Sequence, residues 1–290
     1  MPLSLLSSYQ SDNTLWLKGN LHTHTTESDG RRAPQEVVDD YAARGYDFLM
    51  ISDHDKLTAP STVNGRGMTL IPGNEVSAKG PHLLHVNAKT LIPPLEDRQK
   101  VLDLIAEEKS FSVINHPNWQ DHYNHCPQES LAAWKGYSGI EIFNGVIRRL
   151  TGSEFATDRW DMLLGSGRRV WGFANDDSHD AQDVELGWNV VRAKDRSVES
   201  IVSALASGSF YASTGITLNR IEAFGRTVHV SAENAERMVV VTDFGKRLFH
   251  IDSNEVTFNV PEDCGYSYIR VEAYGGSEKN AWTQPFFVKR

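Results

Sequence analysis

Short apolar runs that end abruptly in polar residues recur along the first two thirds of the chain. They are "YDFLMISDHD" (46–55), "MTLIPGNEVS" (68–77), "SFSVINHPN" (110–118), "YSGIEIFNG" (137–145) and "RVWGFANDDSH" (169–179). Between them lie segments with helical spacing. In "APQEVVDDYAARG" (33–45), Val37, Val38, Tyr41 and Ala42 fall on one face, Pro34 suits the first turn and Gly45 the C-terminal stop. "EDRQKVLDLIAEEKS" (96–110) and "SVESIVSALASG" (197–208) repeat the pattern. Alternating strands and helices predict a parallel sheet covered by helices.

The ionisable residues favour a barrel over an open sheet. They stand just after the apolar runs, at the predicted C-terminal ends of the strands, where a closed α/β barrel gathers its chemistry. "LWLKGNLHTH" (15–24) shares this layout. After residue 215 helical spacing disappears. Short alternating segments such as "TVHVS", "RMVVVTDFG" and "EVTFNV" predict an antiparallel β-sandwich. The expected organisation is therefore a barrel over 1–215 and a small sandwich over 216–290, docked rather than tethered.

Composition narrows the function. The 290 residues are 40% hydrophobic and 23% charged, as in a globular protein with ample core. A net charge of −9 and the lack of a basic stripe argue against a long nucleic-acid groove or an anionic membrane as partner. Cys126 and Cys264 form no CxxC pair, which argues against a thiolate zinc site or a disulfide framework. "MPLSLLSSYQSDN" is not the pattern of a signal peptide, and no run nears the ~18 apolar residues of a membrane span. A cytoplasmic enzyme is the expectation.

The histidines supply the chemistry. Nine of eleven lie between residues 22 and 179. His22, His24, His54, His116 and His179 each end or follow an apolar run, beside Asp29, Asp53, Glu75, Asp176 or Asp177. One such histidine is ordinarily structural, but five in the same placement predict a shared metal site. Mixed imidazole and carboxylate ligands suit Zn, Mn, Fe or Co better than Mg or Ca. His22 and His24, two apart in an extended segment, point the same way and can grip one ion. Glu75 can bridge two ions.

Taken together, "HTH" with an aspartate five residues on, "SDHD", "IPGNEVS", "INHP" and "DDSH" resemble the PHP (polymerase and histidinol phosphatase) metal-dependent phosphoesterases over residues 16 to 215. The resemblance implies a distorted (β/α)7 barrel of PHP type holding two or three divalent ions (Zn, Mn or Fe). His22, His24, Glu75 and Asp177 match the first metal set. Glu75 would bridge to a second ion held by His116 and by a histidine of "GPHLLHVNA", where His85, before "VNA", is preferred to His82. Asp29, His54 and His179 match a third set.

The implied activity is hydrolysis of a phosphate ester of a small phosphorylated metabolite, a nucleotide or sugar phosphate. A hydroxide shared between metals would be the nucleophile, with Glu75 and Asp177 as the catalytic carboxylates. Arg148, Arg149 and Asn118 are the candidate substrate contacts, and Trp119 and Asn144 can line the pocket. Asp53, Asp55 and Glu141 are read as carboxylates supporting the ligands, and His122 and His125 as loop histidines, one of which could protonate the leaving group. An amidohydrolase-like C–N or C–O hydrolase and a non-catalytic metal-binding module are the alternatives. The oligomeric state is left open.

Overall fold

A computed structural model describes residues 3–9 and 15–290, so the N-terminal stretch read for a leader lies partly outside the described residues. The predicted helices are present. α1 (Pro34–Ala43) starts on Pro34 and is followed by Gly45 at φ +74°. α2 (Arg98–Glu107) is capped by Asp97, which accepts from the Lys100 N–H. A six-residue helix, α3 (Gln128–Ala133), and α4 (Thr157–Gly165) follow. α5 (Val198–Ser207) runs from the Ser197 cap to Gly208 at φ +79°.

Two sheets enclose the central core. In one, Leu15–Asn20, Phe48–Leu49 and Thr69–Leu70 run parallel, and Trp188–Ala193 lies antiparallel on the other side of Leu15–Asn20. The second has the order Gly73–Val76, Leu83–Val86, Phe111–Ile114, Gly139–Asn144, Trp171–Asn175. Leu17, Phe48 and Val191 from the first sheet meet Leu84, Val113 and Phe173 from the second. The outer face of the second sheet packs Ile114, Ile140 and Ile142 on α2 and α4.

The expected closed ring of seven parallel strands is not what the hydrogen-bonded ladders form: the sheets are mixed and do not close. Two local causes are visible. "MTLIPGNEVS" splits at Pro72, which has no N–H to give a ladder; Thr69–Leu70 stays in the first sheet while Gly73–Val76 joins the second. Only residues 77–82 then separate Gly73–Val76 from Leu83–Val86, too few for a helical crossover, so these two pair antiparallel. Where the sheets meet, single bridges replace ladders: Thr23 with Ser178, and His54 with Glu75. Both bridges lie at the polar ends of the strands.

From residue 218 the described chain is strand and turn, with one short 3-10 stretch at Asp243–Gly245. Leu218–Phe224, Thr227–Ala232 and Glu255–Asn259 form a three-stranded sheet. It packs through Val228, Val230 and Val256 on Met238, Val240 and Val271. The second layer is not separate from the rest of the molecule. Asn280–Thr283 pairs with Phe210–Ser213, which continues the first sheet, and Phe286–Lys289 pairs with the N-terminal strand Ser4–Leu6. Arg270 is buried across this joint, donating two hydrogen bonds to Asp161 of α4 at 2.8 and 2.6 Å and one to Glu272 at 2.6 Å. Among the described residues no helix is long and apolar enough to cross a membrane.

Candidate metal centre

The polar strand ends converge at one rim, with Glu75 in the middle. Its Oε1 lies 3.2 Å from His22 Nε2, 3.2 Å from His82 Nδ1 and 3.4 Å from His116 Nε2. Its Oε2 lies 2.7 Å from His54 Nδ1 and 3.5 Å from His24 Nε2. Asp177 Oδ1 sits 3.1 Å from Nε2 of both His22 and His24. On the outer side Asp29 lies 3.6 Å from His54 and 3.4 Å from His179.

The backbone explains this convergence. His22 and His24 continue Leu15–Asn20 with alternating direction, so Thr23 turns away and bonds Ser178. Asp29 is carried on a tight loop folded around Asp53, which accepts from the Thr25 N–H, Ser28 Oγ and Thr58 Oγ1. Gly30 closes that loop; a Cβ there would stand 2.5 Å from the His24 carbonyl. Asp53 and Asp55 thus shape loops rather than orient His54, since Asp55 accepts from the Ser77 and Ala78 N–H groups. His116 and Asp177 adopt φ of +25° and +54°. That region is costly for residues with a side chain and recurs at functional sites. Asp176 anchors the second turn, accepting from the N–H groups of Glu185, Leu186 and Gly187 and from Tyr41; its burial pushes its pKa up to about 6.

A second layer fixes the imidazoles. Glu141 Oε1 lies 2.7 Å from His22 Nδ1, which leaves His22 Nε2 facing the cluster. Glu141 also accepts from the His116 N–H and from Asn144 and Asn175. Asn115 donates to Glu75 at 2.6 Å. Asn115 and Asn175 were not singled out from sequence, although each sits beside a ligand-bearing motif.

The donor set fits divalent ions. His22 Nε2, His24 Nε2, His54 Nδ1, His82 Nδ1, Glu75 Oε2 and Asp177 Oδ1 are all buried without a hydrogen-bond partner. Buried polar atoms are rarely left so, and here they point at one another. Among the described residues five overlapping sets lie close enough to share an ion: His22, His24 and Asp177; His22, Glu75 and His116; His54, Glu75 and His82; His82, His116 and His125; and His24, Asp29, His54 and His179. In the metal-free protein protons must supply the positive charge. Burial opposes the charged form of His54, but Asp29 and Glu75 outweigh it and hold its pKa up to about 10. Burial would likewise raise Asp177, yet His22 and His24 hold it well below the usual carboxylate range. Metal binding therefore has to displace protons. Metal affinity should rise as the pH climbs towards the His54 pKa of about 10, with protons released on loading; calorimetry in buffers of different ionisation enthalpy reads both.

Three sequence expectations need correction. His85 is not in the cluster: its Nε2 faces Glu108 at 3.3 Å on the outer side of the sheet, and His82 stands beside Glu75 instead. Asn118 does not face the cavity, because its amide bonds the Phe155 carbonyl, Asp158 and Arg159. Arg148 points towards Glu278, 3.5 Å away, and lines a different hollow. Arg149 does line the cavity, its guanidinium held by Asp183 through two bonds of 2.8 Å. Arg31, two residues after Asp29, joins it there. Of the loop histidines, His122 is exposed, and neither it nor His125 lines the cavity. His125 Nε2 accepts from the His82 N–H, and burial pushes its pKa down to about 2, so it supports His82 rather than donating a proton.

The cavity over the cluster measures about 310 Å³. Its lining joins His54, Glu75, His82, His116, Asp177 and His179 to the apolar Trp119, Val146, Ile147 and Leu150, and Trp119 stands next to the cluster, its ring centroid 5.0 Å from His116 and 5.7 Å from His82.

No family model matches the chain. A 3′,5′-nucleoside bisphosphate phosphatase from Chromobacterium violaceum is 38% identical over 72 residues, covering 23% of this chain and 25% of that protein's length. Among solved structures, a two-domain protein from Bacteroides vulgatus, described as containing a predicted PHP-like metal-dependent phosphoesterase, aligns with a TM-score of 0.58 and 17% identity over 97% of this chain and 98% of its own. A lesion-specific endonuclease from Pyrococcus furiosus overlaps more loosely, with a TM-score of 0.46 and 16% identity over 66% of this chain and 56% of its own. The Bacteroides likeness spans nearly the whole of both chains and shows a shared fold.

Proposed function

We propose that this chain, whose fold is PHP-like, is a metal-dependent phosphoesterase that releases phosphate from a small phosphorylated metabolite, a nucleotide or sugar phosphate. The observation that carries this reading is the ring of buried, unpartnered imidazole and carboxylate atoms around Glu75 and Asp177, opening into a cavity that also holds Arg149. The partial likeness to a nucleoside bisphosphate phosphatase supports a phosphate ester as substrate.

In this reading His22, His24, Glu75 and Asp177 hold one ion, Glu75, His82 and His116 a second, and Asp29, His54 and His179 a third, the metals being Zn, Mn or Fe. Divalent ions there supply Lewis acidity and a water-derived nucleophile at neutral pH. The chain's own part is positioning and charge. Glu141 fixes the His22 tautomer, Asn115 orients Glu75, and Asp183 holds Arg149 with one edge of its guanidinium committed, leaving the other to donate to a phosphoryl oxygen. The two sheets with their bridges are read as an open, distorted β/α barrel. Residues 1–215 are read as the catalytic unit and 216–290 as a β-sandwich joined to it by shared strand pairing. A cytoplasmic location and the absence of a long nucleic-acid partner complete the reading.

A screen of phosphorylated metabolites with Mn, Zn and Fe supplied separately tests it. Phosphate release that depends on added metal supports the proposal; none with any metal contradicts it. Arg149→Ala should lower kcat/KM by roughly 10- to 100-fold, the worth of one charged hydrogen bond, whereas Arg148→Ala should stay near wild type in the same steady-state assay.

A further inference from the structure

Beside the metal cluster the cavity has an apolar stretch of wall, and its construction is specific. Trp119 lies on the segment after His116, and Leu150 on the segment after Arg149. These segments are stitched together by backbone hydrogen bonds from Gln120 N to Thr151 O (2.9 Å) and from Ser153 N to Asn118 O (3.0 Å), with a bridge between Trp119 and Gly152. The approach is so close that only glycine fits. Gly152 has φ +131°, and a Cβ there would stand 2.6 Å from the Asn118 carbonyl and 2.9 Å from the Trp119 Cα. Imidazoles brace the indole, with ring centroids 5.0 Å away at His116, 4.9 Å at His125 and 5.7 Å at His82. Leu150 keeps 42% of its surface exposed at the same cavity.

We infer that Trp119, set in place by Gly152 and sharing the cavity with Val146, Ile147 and Leu150, is the specificity-determining residue, and that it selects phosphate esters whose alcohol carries a flat ring. The inference rests on the phosphoesterase reading and extends it to the leaving group. The donors beside this wall are Arg31 and Arg149, and a guanidinium accepts no hydrogen bond. Hydroxyls of a polyhydroxylated alcohol seated against Val146, Ile147 and Leu150 lose the acceptors they had in water. A flat ring loses nothing comparable and gains contact with a fixed indole.

Adenosine 5′-monophosphate and ribose 5-phosphate test this directly, because they present the same phosphorylated carbon and differ in the base. With the metal-loaded full chain, kcat/KM should favour the adenosine ester by roughly 10- to 100-fold, the range measured for base-on-aromatic stacking. Trp119→Ala should collapse the ratio towards one, Trp119→Phe should restore part of it, and Leu150→Ser, which leaves the histidine contacts alone, should reduce it. Equal rates for the two esters in the wild type, or a ratio that survives Trp119→Ala, overturns the inference. Calorimetric binding of the same pair separates the two proposals. Tighter binding of the adenosine ester that is lost in Trp119→Ala, without turnover of either, keeps the stacking wall and removes the phosphoesterase. Equal binding removes the stacking wall.

Discussion

Glu75→Gln should reduce kcat/KM by more than roughly 100-fold and lower the bound metal, since even groups that merely support a ligand are worth 10- to 100-fold. Its two oxygens lie within 3.5 Å of ring nitrogens from His22, His24, His54, His82 and His116. No other carboxylate of the cluster reaches so many. The amide keeps the shape and the Asn115 contact region but loses the negative charge that offsets two dications. Steady-state kinetics with metal analysis on the same sample checks both parts. A companion pair sharpens the test: His82→Gln should lose metal, while His85→Gln, whose ring faces Glu108, should keep its metal content near wild type.

Arg270→Ala should destabilise the fold by about 3–5 kcal/mol, the usual cost of breaking a buried ion pair from one side. Arg270 is 1% exposed and is the cationic partner of both Asp161 and Glu272. Its removal strands two buried carboxylates, one on α4 and one on the strand Tyr268–Tyr274. Against a total stability of ~5–15 kcal/mol this is a large fraction, and the midpoint of thermal unfolding should fall by roughly 6–20 °C. Arg270→Met should do little better, because the carboxylates remain. Arg237→Ala, which breaks an exposed pair with Asp252, should leave the midpoint unchanged.

What the sequence disclosed follows from the range of each signal. Helix limits are local, and Pro34, Asp97, Ser197 and Gly208 mark theirs. The metal motifs are local too, because strand direction alone decides that His22 and His24 share a side. The choice between His82 and His85 is not local. Three residues apart on an extended segment, they must face opposite ways, but Leu83 and Leu84 are both buried, one against the helices and one in the central core. Nothing in "HLLHV" says which face is which; pairing of Glu75 with Leu84 does. Arg148 and Arg149 pose the same difficulty in a single 3-10 turn, where partners 278 and 183 decide the outcome. Pairing of Phe210–Ser213 with Asn280–Thr283 is a register set some seventy residues away along the chain, beyond any pattern of alternation.

Anomalous diffraction from crystals grown with Mn shows whether dications occupy the ring around Glu75 and Asp177. Strong anomalous peaks are expected among His22, His24, Glu75, His82, His116 and Asp177, with a further peak by Asp29, His54 and His179. A map with no peak among those side chains, from protein shown to contain the added metal elsewhere, would contradict that occupancy.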